Sequence, residues 1–100
     1  MISFDAVVGF DRDEGNARKN EEHGVTQAEA EEVFLHRPLV LAPDVAHSSG
    51  GAPRFHALGV TGAGRRLHLT FTVRRNGSLI RVISARDVHR KERAIYDKAD

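Results

Sequence analysis

The clearest pattern in the chain lies between residues 67 and 85, where apolar and polar positions alternate. Leu67, Leu69, Phe71 and Val73, then Ile80 and Val82, interleave with His68, Thr70, Thr72, Arg74 and Arg81. A period of two places successive side chains on opposite faces of a strand. The pattern therefore predicts strands over residues 67–74 and 79–85, with one apolar and one cationic, polar face. Asn76-Gly77 between them is a strong hairpin signal. With that pair at the centre of the turn, the predicted register sets Arg74 opposite Leu79, Thr72 opposite Arg81, Phe71 opposite Val82 and Leu69 opposite Ser84. Residues 54–60 form a third strand candidate, 39–42 a short buried one, and the apolar stretch 6–10 another.

Helical patterning fills the remainder. Asp11, Asp13 and Glu14 stand where the dipole at a helix N-terminus favours acids, and Gly24 can end that helix after His23. Thr26-Gln27-Ala28-Glu29 matches a capping box, so a second helix should begin at Gln27 with Ala30, Val33 and Phe34 as its apolar stripe. The Pro of Arg37-Pro38 stops it soon after Leu35. Asp87 is the expected cap of a last helix over residues 88–98, with Val88, Ile95 and Ala99 turned inward. The polar, Gly-rich stretch 43–53 reads as a surface loop. The predicted order is β-α-α-β-β-β-β-α: an α+β fold with a mainly antiparallel sheet, two N-terminal helices and one C-terminal helix, the helices covering one face.

Length and composition narrow the classes. One hundred residues suit a single domain spanning 1–100, and 40% hydrophobic with 29% charged residues is ordinary for a globular chain. The apolar run Leu39-Val40-Leu41-Ala42 falls far short of the roughly 18 residues of a membrane span, and the first five residues lack the features of a secretory signal. A cytoplasmic protein is the expectation. Absence of cysteine excludes disulfides, thiolate zinc sites and iron–sulfur clusters.

Charge changes the picture more. The net charge of +1 hides an acidic half, with ten acids and four bases in residues 1–50, and a basic half, with eleven bases and four acids in residues 51–100. Nine of those eleven bases are Arg, whose planar fork matches phosphate. A basic face for a polyanion follows as an expectation, with Arg used only for solubility as the alternative.

The six histidines, at 23, 36, 47, 56, 68 and 89, form no HxH, HExxH or HxxxH pair, so no metal site is expected. The glycines fit no phosphate-loop spacing. Asp44, His47, Ser48 and Ser49 hold the residue types of a nucleophile site, but a polar loop assembles such neighbours by chance. The informative set is Arg81, Ser84, Arg86, Arg90, Glu92, Arg93 and Tyr96, which gathers phosphate donors, a carboxylate and a phenol within sixteen residues. Glu92 and Tyr96, four apart, share a helix face. Two readings stay open for them: acid–base chemistry, or a Glu92 paired with Arg86 or Arg93 beside a core Tyr96.

Residues along nearly the whole chain resemble one family. They are Phe10-Asp11-Arg12-Asp13-Glu14-Gly15-Asn16, Lys19-Asn20, His23-Gly24-Val25, Glu29-Ala30-Glu31-Glu32-Val33-Phe34, Arg54, Ala57-Leu58-Gly59, Phe71-Thr72, Arg81-Val82-Ile83-Ser84-Ala85-Arg86, Arg90-Lys91-Glu92-Arg93 and Tyr96. In order and spacing the sequence resembles the BrnT-type toxins of the RelE-like superfamily. It departs from that pattern with Arg12 where Trp is usual and Glu22 where a base often precedes the histidine. The resemblance implies a small, metal-independent, cofactor-free ribonuclease that inhibits translation. It also implies a BrnA-like ribbon-helix-helix antitoxin that neutralises the toxin, binds the operator DNA and forms a heterotetramer with it. On that reading Arg54, Arg81 and Arg86 clamp the phosphate, and His23, Glu92 and Tyr96 are the available acid–base groups. Arg65, Arg66, Arg74, Arg75, Arg90 and Lys91 extend the RNA track. A non-catalytic corepressor that only binds antitoxin, and a nucleic-acid-binding module, are the alternatives.

Overall fold

The computed structural model describes residues 6–47 and 53–98. Elements follow in the order β1 (Gly9–Phe10), α1 (Glu14–Glu22), α2 (Gln27–Val33), β2 (Val40–Pro43), a 3-10 turn (Val45–His47), β3 (Arg54–Val60), β4 (Arg66–Arg74), β5 (Leu79–Asp87) and α3 (Arg90–Asp97). The strands form one sheet in the order β1-β5-β4-β3-β2, antiparallel except where β1 runs parallel to β5. The α+β class and the element order are those the sequence predicts.

Local chemistry sets the boundaries. Asp13 caps α1 by accepting the Asn16 N–H at 2.9 Å. Thr26 and Glu29 form the expected capping box on α2. The β4–β5 turn takes positive φ at Asn76 (58°) and Gly77 (85°), the conformation that lets a tight turn follow the strand twist. Arg74 then faces Leu79, Thr72 faces Arg81 and Phe71 faces Val82, as expected.

Beyond Val82 the register departs from expectation. Leu69 lies opposite Ala85, not Ser84, because a β-bulge interrupts the ladder between Thr70 and Phe71 and leaves Ile83 as the extra residue. In an unbroken ladder Arg86 would sit opposite Leu67, on its buried face. The bulge instead pairs His68 with Arg86 and turns that arginine to the polar face.

The core lies on the other face. Leu67, Leu69 and Phe71 of β4, with Ala57, Ile80, Val82 and Ala85, pack against Val25, Ala30 and Val33. Burying each large side chain contributes about 1.5–3 kcal/mol. Phe34 meets Phe71 edge-on at 5.1 Å, and Phe55 stacks on Phe71 at 5.4 Å. Gly59 permits the close approach of α2 to β3: a Cβ there would stand 2.5 Å from Val33 Cγ1. Helix α1 contacts β5, where buried Asn20 accepts the Ala85 N–H at 2.9 Å and satisfies a backbone donor that β1 is too short to reach.

The last helix corrects three expectations: where it starts and what caps it, which sheet face it covers, and which residue it buries. β5 runs on to Asp87, so α3 starts at Arg90 with His89 as its cap, and the His89 N–H donates to Glu92 Oε1 at 2.8 Å. Its bonds to Arg86 and Arg66 place α3 over the polar sheet face, so helices cover both faces, not one. Tyr96 is the buried residue of α3, whereas Ile95 is 56% exposed. Ala99, Ser48 and Ser49 lie outside the described residues.

Candidate active site

The polar sheet face is a lattice of three strands. Pairing places Arg54, Thr72 and Arg81 in one row, His56, Thr70 and Ser84 in the next, and Leu58, His68 and Arg86 in a third. Rows two residues apart along a strand are separated by about 7 Å, and adjacent strands by about 4.8 Å. An arginine row, a histidine row and a second arginine thus lie within about 14 Å on one face.

The first row is cationic and braced. Arg81 Nη2 donates to Asp11 Oδ2 at 2.7 Å, its Nη1 is 3.9 Å from Asp13 Oδ2, and Arg74 Nε is 3.8 Å from the same Asp11 carboxylate. Buried Arg81 Nε has no hydrogen-bond partner. Thr72 Oγ1 donates to the Pro53 carbonyl at 2.6 Å. Arg54, Thr72, Arg74 and Arg81, with Asn16 and Ile83, line a pocket of about 310 Å³. A larger polar hollow of about 640 Å³ continues it past Arg75 and Asn76. The acids orient the Arg81 fork, and Arg74 and Arg75 stand exposed beside the two hollows.

The second and third rows hold the titratable groups. His56 Nε2 is 3.1 Å from a carboxylate oxygen of Asp44, a residue only 8% exposed, and His56 Nδ1 is 3.3 Å from Thr70 Oγ1. The His56 and His68 rings lie 4.9 Å apart. Burial pushes the His68 imidazole below its ordinary pKa, and nearby Arg86 adds to this against the opposing pull of Glu92, so His68 is neutral near pH 7. Glu92 Oε2 is 3.9 Å from His68 Nε2, but its carboxylate is held chiefly by Arg86, in a two-pronged bond of 2.7 and 2.8 Å. That bond, with the His89 N–H, lowers the Glu92 pKa to about 2 despite partial burial. A carboxylate so held is a weak proton acceptor.

The remaining expected residues divide. Tyr96 is buried, with Arg66 over its ring at 5.8 Å, and burial raises its phenol pKa. Arg66 also reaches Asp97 at 3.4 Å. Arg65, one residue along, points to the other face and ties three elements together: it donates to Asp87 at 2.8 and 3.1 Å, to Glu29 at 3.1 Å and to the Gly24 carbonyl at 2.7 Å. Exposed His23 caps α1 at that same corner. Asp87 lies six residues along β5 from Arg81, about 20 Å away, so the corner is remote from the first row. Arg74 and Arg75 are exposed beside the hollows, and Arg90 and Lys91 are exposed on α3.

Sequence reasoning overlooked His56, His68 and Asp44 as a group. Alternation did mark His68 as polar-face, and the same rule applied to β3 would have placed His56 beside it. Asp44 gave no such signal, because only the β2–β3 pairing brings it there. Among the described residues no three His, Asp or Glu side chains converge as a metal-holding group.

No curated protein is matched by the sequence. The family model described as ribonuclease toxin, BrnT, of type II toxin-antitoxin system matches residues 13–92. That span contains all three rows, the Asp13 brace, Asp44 and Glu92. The chain belongs to the BrnT family of ribonuclease toxins of type II toxin–antitoxin systems.

Proposed function

We propose that the protein is a metal-independent endoribonuclease that cuts RNA on the polar face of its sheet. The observation that carries this reading is the Arg54–Thr72–Arg81 row beside the 310 Å³ pocket. Cleavage without a metal requires fixed positive charge where the phosphorane develops its own negative charge, and preorganised guanidinium forks supply it. Arg54 and Arg81 clamp the scissile phosphate. Arg86, engaged with Glu92, sets the far wall of the site. Arg74 and Arg75, with Arg90 and Lys91 on α3, extend the track for neighbouring phosphates.

The corner histidine His23 and the buried Tyr96 stand apart from the first row, which favours structural roles for both. Arg65 and Arg66 likewise serve packing before RNA. For the partner, the resemblance supports a BrnA-like ribbon-helix-helix antitoxin that forms a two-fold heterotetramer with the toxin and through which alone operator DNA is contacted, with both proteins in the cytoplasm. An apolar hollow of about 420 Å³ on the side of the sheet that packs α2, flanked by exposed Val8 and Leu35, supports the need for a protein partner. Among the described residues no helix is long and apolar enough to cross a membrane.

The test is incubation of purified protein with single-stranded RNA in EDTA, with and without antitoxin. Cleavage that leaves 2′,3′-cyclic phosphate ends and stops when antitoxin is added is the expected result. A clean, folded protein that cleaves no RNA, or only on addition of divalent metal, contradicts the proposal.

A further inference from the structure

We infer that His56, oriented by Asp44, is the proton-transfer group of the cleavage reaction, an assignment that rests on the nuclease reading above. The argument begins with the two ring nitrogens. His56 Nε2 stands 3.1 Å from the buried Asp44 carboxylate. A carboxylate accepts and cannot donate, so Nε2 carries the hydrogen, and in the neutral ring Nδ1 keeps the lone pair. Nδ1 points across the sheet at Thr70 Oγ1, 3.3 Å away, a long contact that a substrate hydroxyl can replace. The ring is therefore held in one tautomer with its free nitrogen on the same face as the arginine row.

Position supports the same role. His56 and Arg54 alternate on β3 with one residue between them, and Thr70 and Thr72 do the same on β4. The histidine row lies about 7 Å along the strands from the arginine row, a spacing that long arginine and histidine side chains can close onto one phosphate and its adjoining 2′-hydroxyl. The His56 side chain is 35% exposed, against 13% for His68 and 21% for Glu92, which makes it the most open of the three. His68, kept neutral by burial, can sit 4.9 Å from His56 without opposing the charge that forms there.

In the step itself, His56 Nδ1 takes the proton of the 2′-hydroxyl as the 2′-oxygen bonds to phosphorus. The bond from phosphorus to the 5′-oxygen breaks, and that oxygen takes a proton from water. The products are a 2′,3′-cyclic phosphate and a 5′-hydroxyl, and the imidazolium returns its proton to solvent. Asp44 touches no reacting atom and is a positioning residue.

The experiment compares wild type, His56→Ala, His56→Gln, Asp44→Asn and Arg81→Ala in EDTA, with melting curves and with binding to an RNA carrying 2′-deoxyribose at the cut site. The expected result is a loss of about 10²-fold or more in kcat for the His56 variants, the scale of general-base catalysis, with RNA affinity within about twofold of wild type. Added imidazole restores cleavage by His56→Ala, whose missing ring leaves room for it, and not by Arg81→Ala. Asp44→Asn lowers kcat and leaves RNA affinity unchanged. Two variants at position 56 ensure that activity is read on one that melts like wild type. Cleavage by both His56 variants within about threefold of wild type overturns the assignment alone, as does a loss that imidazole never restores and that tracks weakened RNA binding. Absence of cleavage by wild type overturns the nuclease reading and this assignment with it.

Discussion

Glu92 shows how one residue's surroundings decide its chemistry. Its place four residues before Tyr96 made it a candidate acid or base, with pairing to Arg86 or Arg93 as the open alternative; the structure has the Arg86 pair. Its pKa near 2 lies below that of an unfolded glutamate, about 4.5, so the folded state binds fewer protons between those values. The stability it contributes is present above pH 4.5 and is lost as pH falls toward 2. Glu92→Gln should therefore lower the melting temperature at pH 7 and flatten the fall in stability between pH 4.5 and 2, as followed by thermal melts across that range. A variant whose acid limb matches wild type would show that the Arg86 bond is not formed in solution. Arg12 illustrates the same point from the other side. Where the family usually has Trp, this chain has a guanidinium that donates to both carboxylate oxygens of Glu31 at 2.9 Å, tying the start of α1 to α2 by charge. The Glu92 pairing was foreseeable from sequence spacing; the Asp44–His56 pair was not, because it depends on which strands become neighbours.

At the level of elements, what could be read from sequence was what depends on local rules. The Asn76-Gly77 turn, the alternation through β4, the acidic start of α1 and the Thr26 cap each rest on a few adjacent residues, and each is found. The bulge at Ile83 was missed because nothing local marks it: Ile83 and Ser84 fit a regular strand as well as an irregular one, and the need to bury Ala85 while turning Arg86 outward arises only from the partner strand. Placement of α3 was missed for a similar reason, since its apolar residues alone gave no hint that Arg86, Arg66 and His68 would draw it to the polar face. Packing of α2 on β3 offers a direct check. Gly59→Ala would force a Cβ to within 2.5 Å of Val33 Cγ1 and 3.3 Å of the Val33 carbonyl oxygen. Overpacking of this kind costs about 1–3 kcal/mol, and each kcal/mol lowers the melting temperature by about 4–8 °C in a chain of this size. Combining it with Val33→Ala should cost less than the sum of the two changes, because the second removes the atom the first strikes. Strict additivity would place the two residues apart.

Across the whole molecule, the split between acidic and basic halves acquires a physical meaning. The halves are not segregated: Asp11 and Asp13 reach Arg81, Glu29 reaches Arg65, and Asp44 reaches His56. Acids of the first half orient basic groups of the second, and Arg74 and Arg75 stand exposed on the neighbouring hairpin. Pleating also sorts the arginines, sending Arg54, Arg66, Arg81 and Arg86 to that face and Arg65 to the helical corner. The central claim is that this face holds the scissile phosphate. It is tested most directly by measuring RNA cleavage in EDTA by Arg54→Ala, Arg81→Ala and the double variant, each shown to melt cooperatively. Losing one preorganised donor typically costs about 10²–10³ in rate, so each single variant should fall by that factor, and the double variant should neither cleave RNA nor arrest growth. A folded double variant that cleaves RNA at the wild-type rate would contradict the account.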